Sequence, residues 1–435
     1  LFSNCGAGDL GYAQAGFRFQ AMGEIDQRRL EVAALNHPGS VPVVGDLRET
    51  WPQVVDAYRK QVPGRRPALL AACPPCQGMS SAQRRRGRSQ DPDAGSRDGR
   101  NLLVSVVAEV AERLQPRAIV VENVTAFLSR LVRHPKSQEP VTAANLLLER
   151  LAYDYAPFAI TAGLADFGIP QSRKRAFVVM IHRDEPGLGR LLSTWQSPFP
   201  AATHGGPENP HLAISEALGA LGLPDIDSSS RENAGQGMHT VPVWDARRYS
   251  MISSIPSGTG KSAWTNDTCP RCGRVEAGPE DATCPACEGP LDRPVVKEQG
   301  SWRLIKGFRS SSYRRMRSDR PASAVTTASG RAGSDNTIHP TQNRVLSPLE
   351  CQVLQTIPLD FKWGNQLEEV GHTSIRTMIG EAVPPQFTYQ HGRILKSVLQ
   401  GHAPRGAIKS DDPRVKSAEA RLGHRPGSPE GGKPA

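Results

Sequence analysis

The feature that most constrains this chain is a series of short, unbroken apolar runs, separated by helical stretches, within its first 180 residues. "PALLAAC" (Pro67–Cys73), "RAIVVEN" (Arg117–Asn123) and "RAFVVMIHR" (Arg175–Arg183) show no alternation of polar and apolar residues. A strand with one wet face alternates; a continuous run is covered on both faces, as a parallel strand is when helices flank its sheet. "RFQAMGEID" (Arg18–Asp26) reads as a further strand and "RRLEVAALN" (Arg28–Asn36) as a helix. Leu102, Leu103, Val106, Val107, Val110 and Leu114 recur at helical spacing. Strands alternating with helices predict a doubly wound α/β sheet.

The texture changes after about residue 183, where Pro, Gly and Ser become frequent and periodicity fades. The predicted organisation is a first domain over residues 1–185, a smaller irregular domain over 186–318, a return to the first domain over 319–400, and a disordered tail over 401–435. The return includes an apolar-patterned helix at Pro385–Leu399, and the tail has no aromatic residue and much Pro, Gly, Lys and Glu. The chain opens at Leu1 with "LF", which reads as the end of a strand, so residues upstream are expected. No run of about 18 apolar residues is present, so no membrane partner is expected. Eight cysteines in 435 residues do not make a secreted disulfide framework; their grouping predicts a reducing compartment. A net charge of +10 favours a polyanionic partner, nucleic acid first. The basic residues concentrate between Arg303 and Arg320, where Lys306, Arg309, Arg314, Arg315 and Arg317 are opposed in that stretch only by Asp319.

Five motifs carry chemistry. "FSNCGAGDLG" (Phe2–Gly11) contains G-x-G-x-x-G at Gly6, Gly8 and Gly11, before a helix that Asp9 is expected to cap. Glycines there let a ligand approach the backbone at a helix N-terminus. Glu24 ends the next strand, where a carboxylate can accept ribose hydroxyls, and Asp46 ends a third strand as an adenine contact or a helix cap. An adenosine cofactor follows, with NAD, FAD and S-adenosylmethionine all open. "ACPPCQGMSSAQRRRG" (Ala72–Gly87) places Cys73 and Cys76 about a double-proline corner that is unlike a helix start, and leads into Arg84, Arg85 and Arg86. A redox pair, a structural pair and a nucleophile all fit it. "VVENV" puts Glu122 and Asn123 at the carboxyl end of a buried strand, the edge where ligands bind and a desolvated carboxyl can donate a proton. In "GIPQSRKRAFVVMI", Gln171, Arg173 and Arg175 fall at period two, which predicts both guanidiniums on one face. Cys269-x2-Cys272 and Cys284-x2-Cys287, in a ribbon over about residues 266–291, have the spacing of a structural, four-thiolate Zn2+ site.

In order, these pieces resemble the DNA (cytosine-5) methyltransferase family, from Leu1 to about Leu399. The quoted carriers are F-x-x-x-G-x-G, a strand-end Glu, P-C-Q, E-N-V, Q-x-R-x-R, "RPASAVTT" and "GEAVPP". The resemblance implies a Rossmann-like S-adenosylmethionine-dependent catalytic domain and a target-recognition domain holding the zinc ribbon. It implies that Cys76 is the nucleophile adding to C6 of a flipped-out cytosine. Glu122 would bond or protonate N3, Arg175 would hold O2, Arg173 would order the site and Asn123 would brace the Cys76 loop. Phe2, Gly6, Gly8, Glu24, Asp46, Leu103, Ala382 and Val383 would hold the cofactor. Gln77, Ser80, Arg84, Arg85 and Arg86, with Arg309, Arg314, Arg315 and Arg317, would contact double-stranded DNA. A bacterial, cytoplasmic and nucleoid-associated monomer follows, serving restriction–modification with a cognate endonuclease that acts on the same site. Asn4 and Ala7 stand where the family usually has glycines, Cys73 where Gly often precedes P-P-C, Ala324 for the usual Thr and Glu381 for the usual Asn. A non-catalytic zinc-ribbon DNA-binding protein and an RNA cytosine-5 methyltransferase of the same fold are the alternatives.

Overall fold

Short strands form where apolar runs lie between turn-forming residues, and two sets of them organise the first half of the chain. The computed structural model describes residues 1–75, 98–369 and 371–423. It divides into two units, one of residues 1–167, 174–205 and 382–435, the other of residues 168–173 and 206–381.

The first unit begins with helix α1 (Ala7–Gln14), strand β1 (Ala21–Glu24), α2 (Gln27–Asn36), β2 (Val41–Val44), α3 (Leu47–Gln61) and β3 (Leu69–Ala72). It continues through α4 (Val104–Leu114), β4 (Ala118–Asn123), β5 (Leu131–Arg133), β6 (Pro140–Thr142), α5 (Asn145–Leu151), β7 (Tyr155–Gly163) and β8 (Lys174–His182). After α6 (Pro186–Ser193) and β9 (Gln196–Pro200), the C-terminal segment adds α7 (Pro385–Leu399), β10 (Ala407–Lys409) and α8 (Pro413–Leu422).

β1 and β2 pair in parallel. The larger sheet has the order β3-β4-β8-β7, with β3–β4 parallel and β8 antiparallel to both neighbours. Residues 1–3 bond to both sheets, Ser3 N–H donating to Gly23 O at 3.0 Å and Cys73 N–H to Leu1 O at 3.3 Å. All six residues of β4 are buried, which is why the run showed no alternation. Val104, Val107, Val110, Ala111 and Leu114 of α4 fill the core against Ile119 and Val121.

Helix α1 is capped by Gly6, at φ +74°, and not by Asp9, which lies in its first turn. A Cβ at Gly11 would come within 2.1 Å of Pro385 O. Gly11 therefore serves close packing of α1 on α7 and does not face a ligand.

The disordered tail expected over 401–435 is corrected for residues 401–423; residues 424–435 lie outside the described residues. β10 pairs antiparallel with β9, and α8 buries Val415, Ala418 and Leu422, at i, i+3 and i+7. Asp412 caps α8, and Gly423 ends it in the left-handed region. The tail lacks aromatics, but one narrow apolar stripe suffices on a surface that is already built.

The boundaries also differ from those read from composition. Residues 186–205 belong to the first unit, where Leu188, Leu191 and Phe199 are buried, and the return begins at Ala382, not at residue 319. The second unit has its own core, which includes Trp244, Met251, Ile252, Ile255, Ile338 and Val345. Among the described residues, no helix is long and apolar enough to cross a membrane.

Candidate active site

The carboxyl ends of β3 and β4 and the start of β8 converge on one buried carboxylate. Register pairs Glu122 with Phe177 and Asn123 with Ala176, so the preceding residue, Arg175, falls beside the end of β4. Arg175 Nε lies 2.9 Å from Glu122 Oε1, with side chains 17% and 7% exposed. On the other oxygen, the Cys73 thiol donates to Glu122 Oε2 at 2.8 Å. Asn123 Nδ2 donates to Pro74 O at 3.1 Å, and its Oδ1 accepts Val124 N–H at 2.9 Å. Cys-Pro-Pro, Glu-Asn and Arg175, drawn from three separate motifs, are thus brought together. The nucleophile expected at Cys76 and the DNA contacts expected at Gln77, Ser80, Arg84, Arg85 and Arg86 lie outside the described residues.

The expectation that Arg173 and Arg175 share a strand face is corrected. β8 starts at Lys174, so the two-residue period does not reach Arg173. Arg173 is 2% exposed and donates to Val325 O at 2.8 Å and Gly380 O at 3.0 Å, all within the second unit.

The glycine turn forms a second group. Phe2 and Leu103 pack on one cluster with Val43 and Leu47, while Phe2 and Asn4 hold positive φ of 55° and 49°. A bulky residue in that region is strained, a cost seen chiefly where a site over-determines the backbone. Glu24 is 5% exposed; Oε2 accepts Asn4 N–H at 2.8 Å and Oε1 accepts Ile25 N–H at 3.1 Å. A Cβ at Gly8 would lie 3.2 Å from Val383 Cβ, which places Val383 against the turn, with Ala382 the buried residue before it. Burial pushes the Asp9 carboxyl above its ordinary range. Asp46 caps α3 and pairs with Arg48 at 2.5 Å, and those bonds hold its carboxyl low. An apolar plate, a carboxylate at a strand end and a tight turn at a helix N-terminus suit an adenosine cofactor. Two further contacts to the turn leave no mark in the local sequence pattern: His37 Nε2 meets Gly6 O at 2.8 Å, and Thr388 Oγ1 donates to Gly8 O at 2.7 Å.

In the second unit, the four sulfurs of Cys269, Cys272, Cys284 and Cys287 lie within 4.8 Å of one another. Cys269–Cys287 and Cys272–Cys284 are 3.6 and 3.7 Å apart. A tetrahedral ion with metal–sulfur bonds of about 2.3 Å sets its sulfurs about 3.8 Å apart, so the thiols fit one. Backbone N–H groups of Cys272, then Arg271, draw the Cys269 thiol down, the direction a ligand thiolate needs, while desolvation and the neighbouring Cys269 thiol push the Cys287 thiol up.

Arg315 is corrected as a DNA contact. It is 1% exposed and donates to His339 O, Gln342 O, Ile252 O and Asn343 Oδ1 at 2.6–3.0 Å. Desolvation lowers its guanidinium to about 10. The neighbouring charges are less one-sided than the local stretch implied. Arg309 pairs with Asp335 at 2.8 Å, Arg317 with Asp319 at 2.6 Å, and Arg303 with Glu298. Arg314 donates to Gly260 O at 3.0 Å.

The helix-flanked sheet, the glycine turn and the Cys-Pro-Pro, Glu-Asn and Arg constellation fit a cytosine-5 methyltransferase. The family described as C-5 cytosine-specific DNA methylase matches residues 1–397. The chain belongs to that family, and its activity is methylation of DNA cytosine at C5. It is 27% identical over 397 residues to the Type II methyltransferase M1.HgaI of Avibacterium volantium, covering 88% of this chain and 94% of that protein. It is 31% identical over 208 residues to M.AquIA of Picosynechococcus, covering 47% and 75%. Among solved structures, an E. coli prophage protein described as a DNA modification methyltransferase shares the fold. Its TM-score is 0.52 at 20% identity, with 92% of this chain and 98% of that one covered.

Proposed function

We propose that the chain transfers a methyl group to C5 of a flipped-out cytosine within a specific duplex sequence, as the modification enzyme of a bacterial restriction–modification system. Bound S-adenosylmethionine supplies the methyl group. The glycine turn at Gly6–Gly8 admits it, Phe2 and Leu103 flank its base, and Glu24 accepts from its ribose. Ala382 and Val383 line the turn from the α7 side.

The observation that carries this reading is the pairing of Glu122 with Arg175 beside the tethered Cys73-Pro74 segment. Cytosine is a poor nucleophile at C5. Addition of the Cys76 thiolate to C6 makes C5 an enamine carbon able to attack a methyl group. Glu122 takes up a proton as the base docks and donates it to N3 as Cys76 adds, so the charge that develops on the ring is neutralised there. Arg175 keeps its Nε on Glu122 Oε1 and offers a terminal nitrogen to the O2 of the base, so one guanidinium serves both partners. Water takes the C5 proton, the electron pair left behind expels the Cys76 thiolate, and N3 returns its proton to Glu122, which restores the ring. The target atoms are hidden in a stacked duplex, so the base is extruded first, and Gln77, Ser80, Arg84, Arg85 and Arg86 bind the strand around it. Arg309, Arg314 and Arg317 lie near backbone phosphates, where they set register. The four cysteines hold a structural zinc that fixes the recognition domain. A cognate endonuclease acting on the same site, cytoplasmic placement at the nucleoid and a monomeric state complete the reading.

Bisulfite sequencing of DNA from expressing cells identifies the target. A duplex carrying 5-fluorocytosine at that target then traps the protein covalently. Cys76→Ser abolishes both trapping and methylation while leaving duplex binding intact; retained methylation by Cys76→Ser refutes the mechanism.

A further inference from the structure

Glu122 is 5% exposed, and its two oxygens face different donors. Arg175 Nε pairs with Oε1 at 2.9 Å without the alignment of a hydrogen bond, and the Cys73 sulfur lies 2.8 Å from Oε2. A thiolate and a carboxylate at that separation would repel strongly, so the sulfur is present as a thiol that donates its proton to the carboxylate. The terminal torsion of a glutamate is broad, because it joins a tetrahedral to a planar carbon. One ion pair fixes one oxygen and leaves that torsion soft. A second donor on the other oxygen sets the carboxylate plane. Cys73 is itself held in place: its N–H donates to Leu1 O at 3.3 Å, and the carbonyl of the next residue, Pro74, is bound by Asn123.

We propose that Cys73 is a positioning residue that aims the Glu122 carboxyl at the target base, a role distinct from that of the nucleophile three residues on. The inference rests on the reading of Glu122 as the group that meets N3. It assigns the two cysteines of C-x-x-C to different work, Cys73 as a neutral donor and Cys76 as the thiolate, and it removes the motif from the redox class. A serine hydroxyl supplies the same donor, whereas alanine and valine supply none.

The test uses the full chain as wild type, Cys73→Ser, Cys73→Ala and Cys73→Val, each also in a Glu122→Gln background. Steady-state and single-turnover methylation of the mapped duplex target are measured, with 5-fluorocytosine trapping as a check on the wild type. Loss of one hydrogen bond to a charged catalytic group lowers kcat by about three- to tenfold in Cys73→Ala, with KM for DNA unchanged. Cys73→Ser stays within about twofold of wild type, and the alanine effect disappears in Glu122→Gln, as expected of groups acting through one another. Alanine is smaller than cysteine and valine larger, so an equal loss in both separates the missing donor from a packing defect. The inference is overturned if alanine and valine match wild type, if serine falls as far as alanine, or if the loss persists undiminished without Glu122. A wild-type protein that neither methylates nor traps overturns the methyltransferase mechanism and this inference with it. Trapping by wild type with unaltered Cys73 variants overturns this inference alone.

Discussion

The C-terminal helix α8 offers a direct test, because composition reads it as unstructured and the fold makes it part of the core. Leu422 is 0% exposed and shares a cluster with Leu146, Leu151, Tyr155 and Ala159. Leu422→Ala removes apolar atoms and leaves a cavity, a combination that costs about 2–5 kcal/mol. Leu422 lies in the last helical turn, next to Gly423, where neighbours can settle inward, so the lower half of that range, about 2–3 kcal/mol, is expected. The Arg414–Asp166 pair, 3.0 Å apart with both side chains more than a quarter exposed, adds at most about 1 kcal/mol. For a unit of this size, each kcal/mol moves Tm by about 2–4 °C, so Leu422→Ala should lower it by about 4–12 °C. Lys416 is exposed on the same helix, and Lys416→Ala should stay within about 0.5 kcal/mol of wild type. Calorimetry on the purified full chain, following the transition of the first unit, reads both. If Leu422→Ala melts with wild type, or if a chain ending at Gly401 keeps the wild-type Tm, then α8 is not docked and the packing argument fails.

Arg315→Ala should destabilise the second unit by about 3 kcal/mol or more in urea unfolding, since it strips four buried acceptors of their donor. The same variant should leave the salt slope of duplex binding unchanged, whereas loss of a true phosphate contact reduces that slope by about 1. His391 is fully buried among Tyr12, Phe177, Phe199 and Phe387, and desolvation lowers it to about 3. The unfolded chain binds this proton below about pH 6.5 and the folded chain does not, so stability falls with pH by about 1.4 kcal/mol per unit across that window. Denaturant unfolding at pH 7 and pH 5 should show a loss about 2 kcal/mol smaller in His391→Gln than in wild type, and equal losses would refute it. Metal analysis should find one zinc per chain; a strong chelator, or Cys272→Ser, should remove it and lower the melting transition of the second unit.

Strands were legible in the sequence where burial on both faces wrote itself into composition, as in β4, whose residues are all buried. The helix expected at Pro385–Leu399 is α7 with those bounds. Motif residues at strand ends were legible for a related reason: in a helix-flanked sheet, the carboxyl edge is the place left open for chemistry. What could not be read was where strands begin and what they pair with. A local pattern gives a period but not its origin, so Arg173 and Arg175 looked equivalent although β8 starts between them. Likewise, a count of like charges gives no account of the acidic and carbonyl groups that come from elsewhere in the chain. Asp335 answers Arg309, and four acceptors remote in sequence enclose Arg315.

Register is the variable that turns these strands into a site. β4 and β8 pair antiparallel with Glu122 opposite Phe177, and that offset sets Arg175 beside the carboxylate. A slip of one residue would turn every β8 side chain to the opposite face, forcing Val178, Val179, Met180 and Ile181 into spaces shaped for their neighbours and carrying Arg175 away from Glu122. The register is therefore fixed by the hydrophobic interior of β8, with Val178, Val179, Met180 and Ile181 each no more than 1% exposed. The catalytic alignment follows from it. Core substitutions in β8 that permit such a slip should lose Glu122–Arg175 pairing before they lose the fold, which makes the apolar residues of this strand guardians of the chemistry at its end.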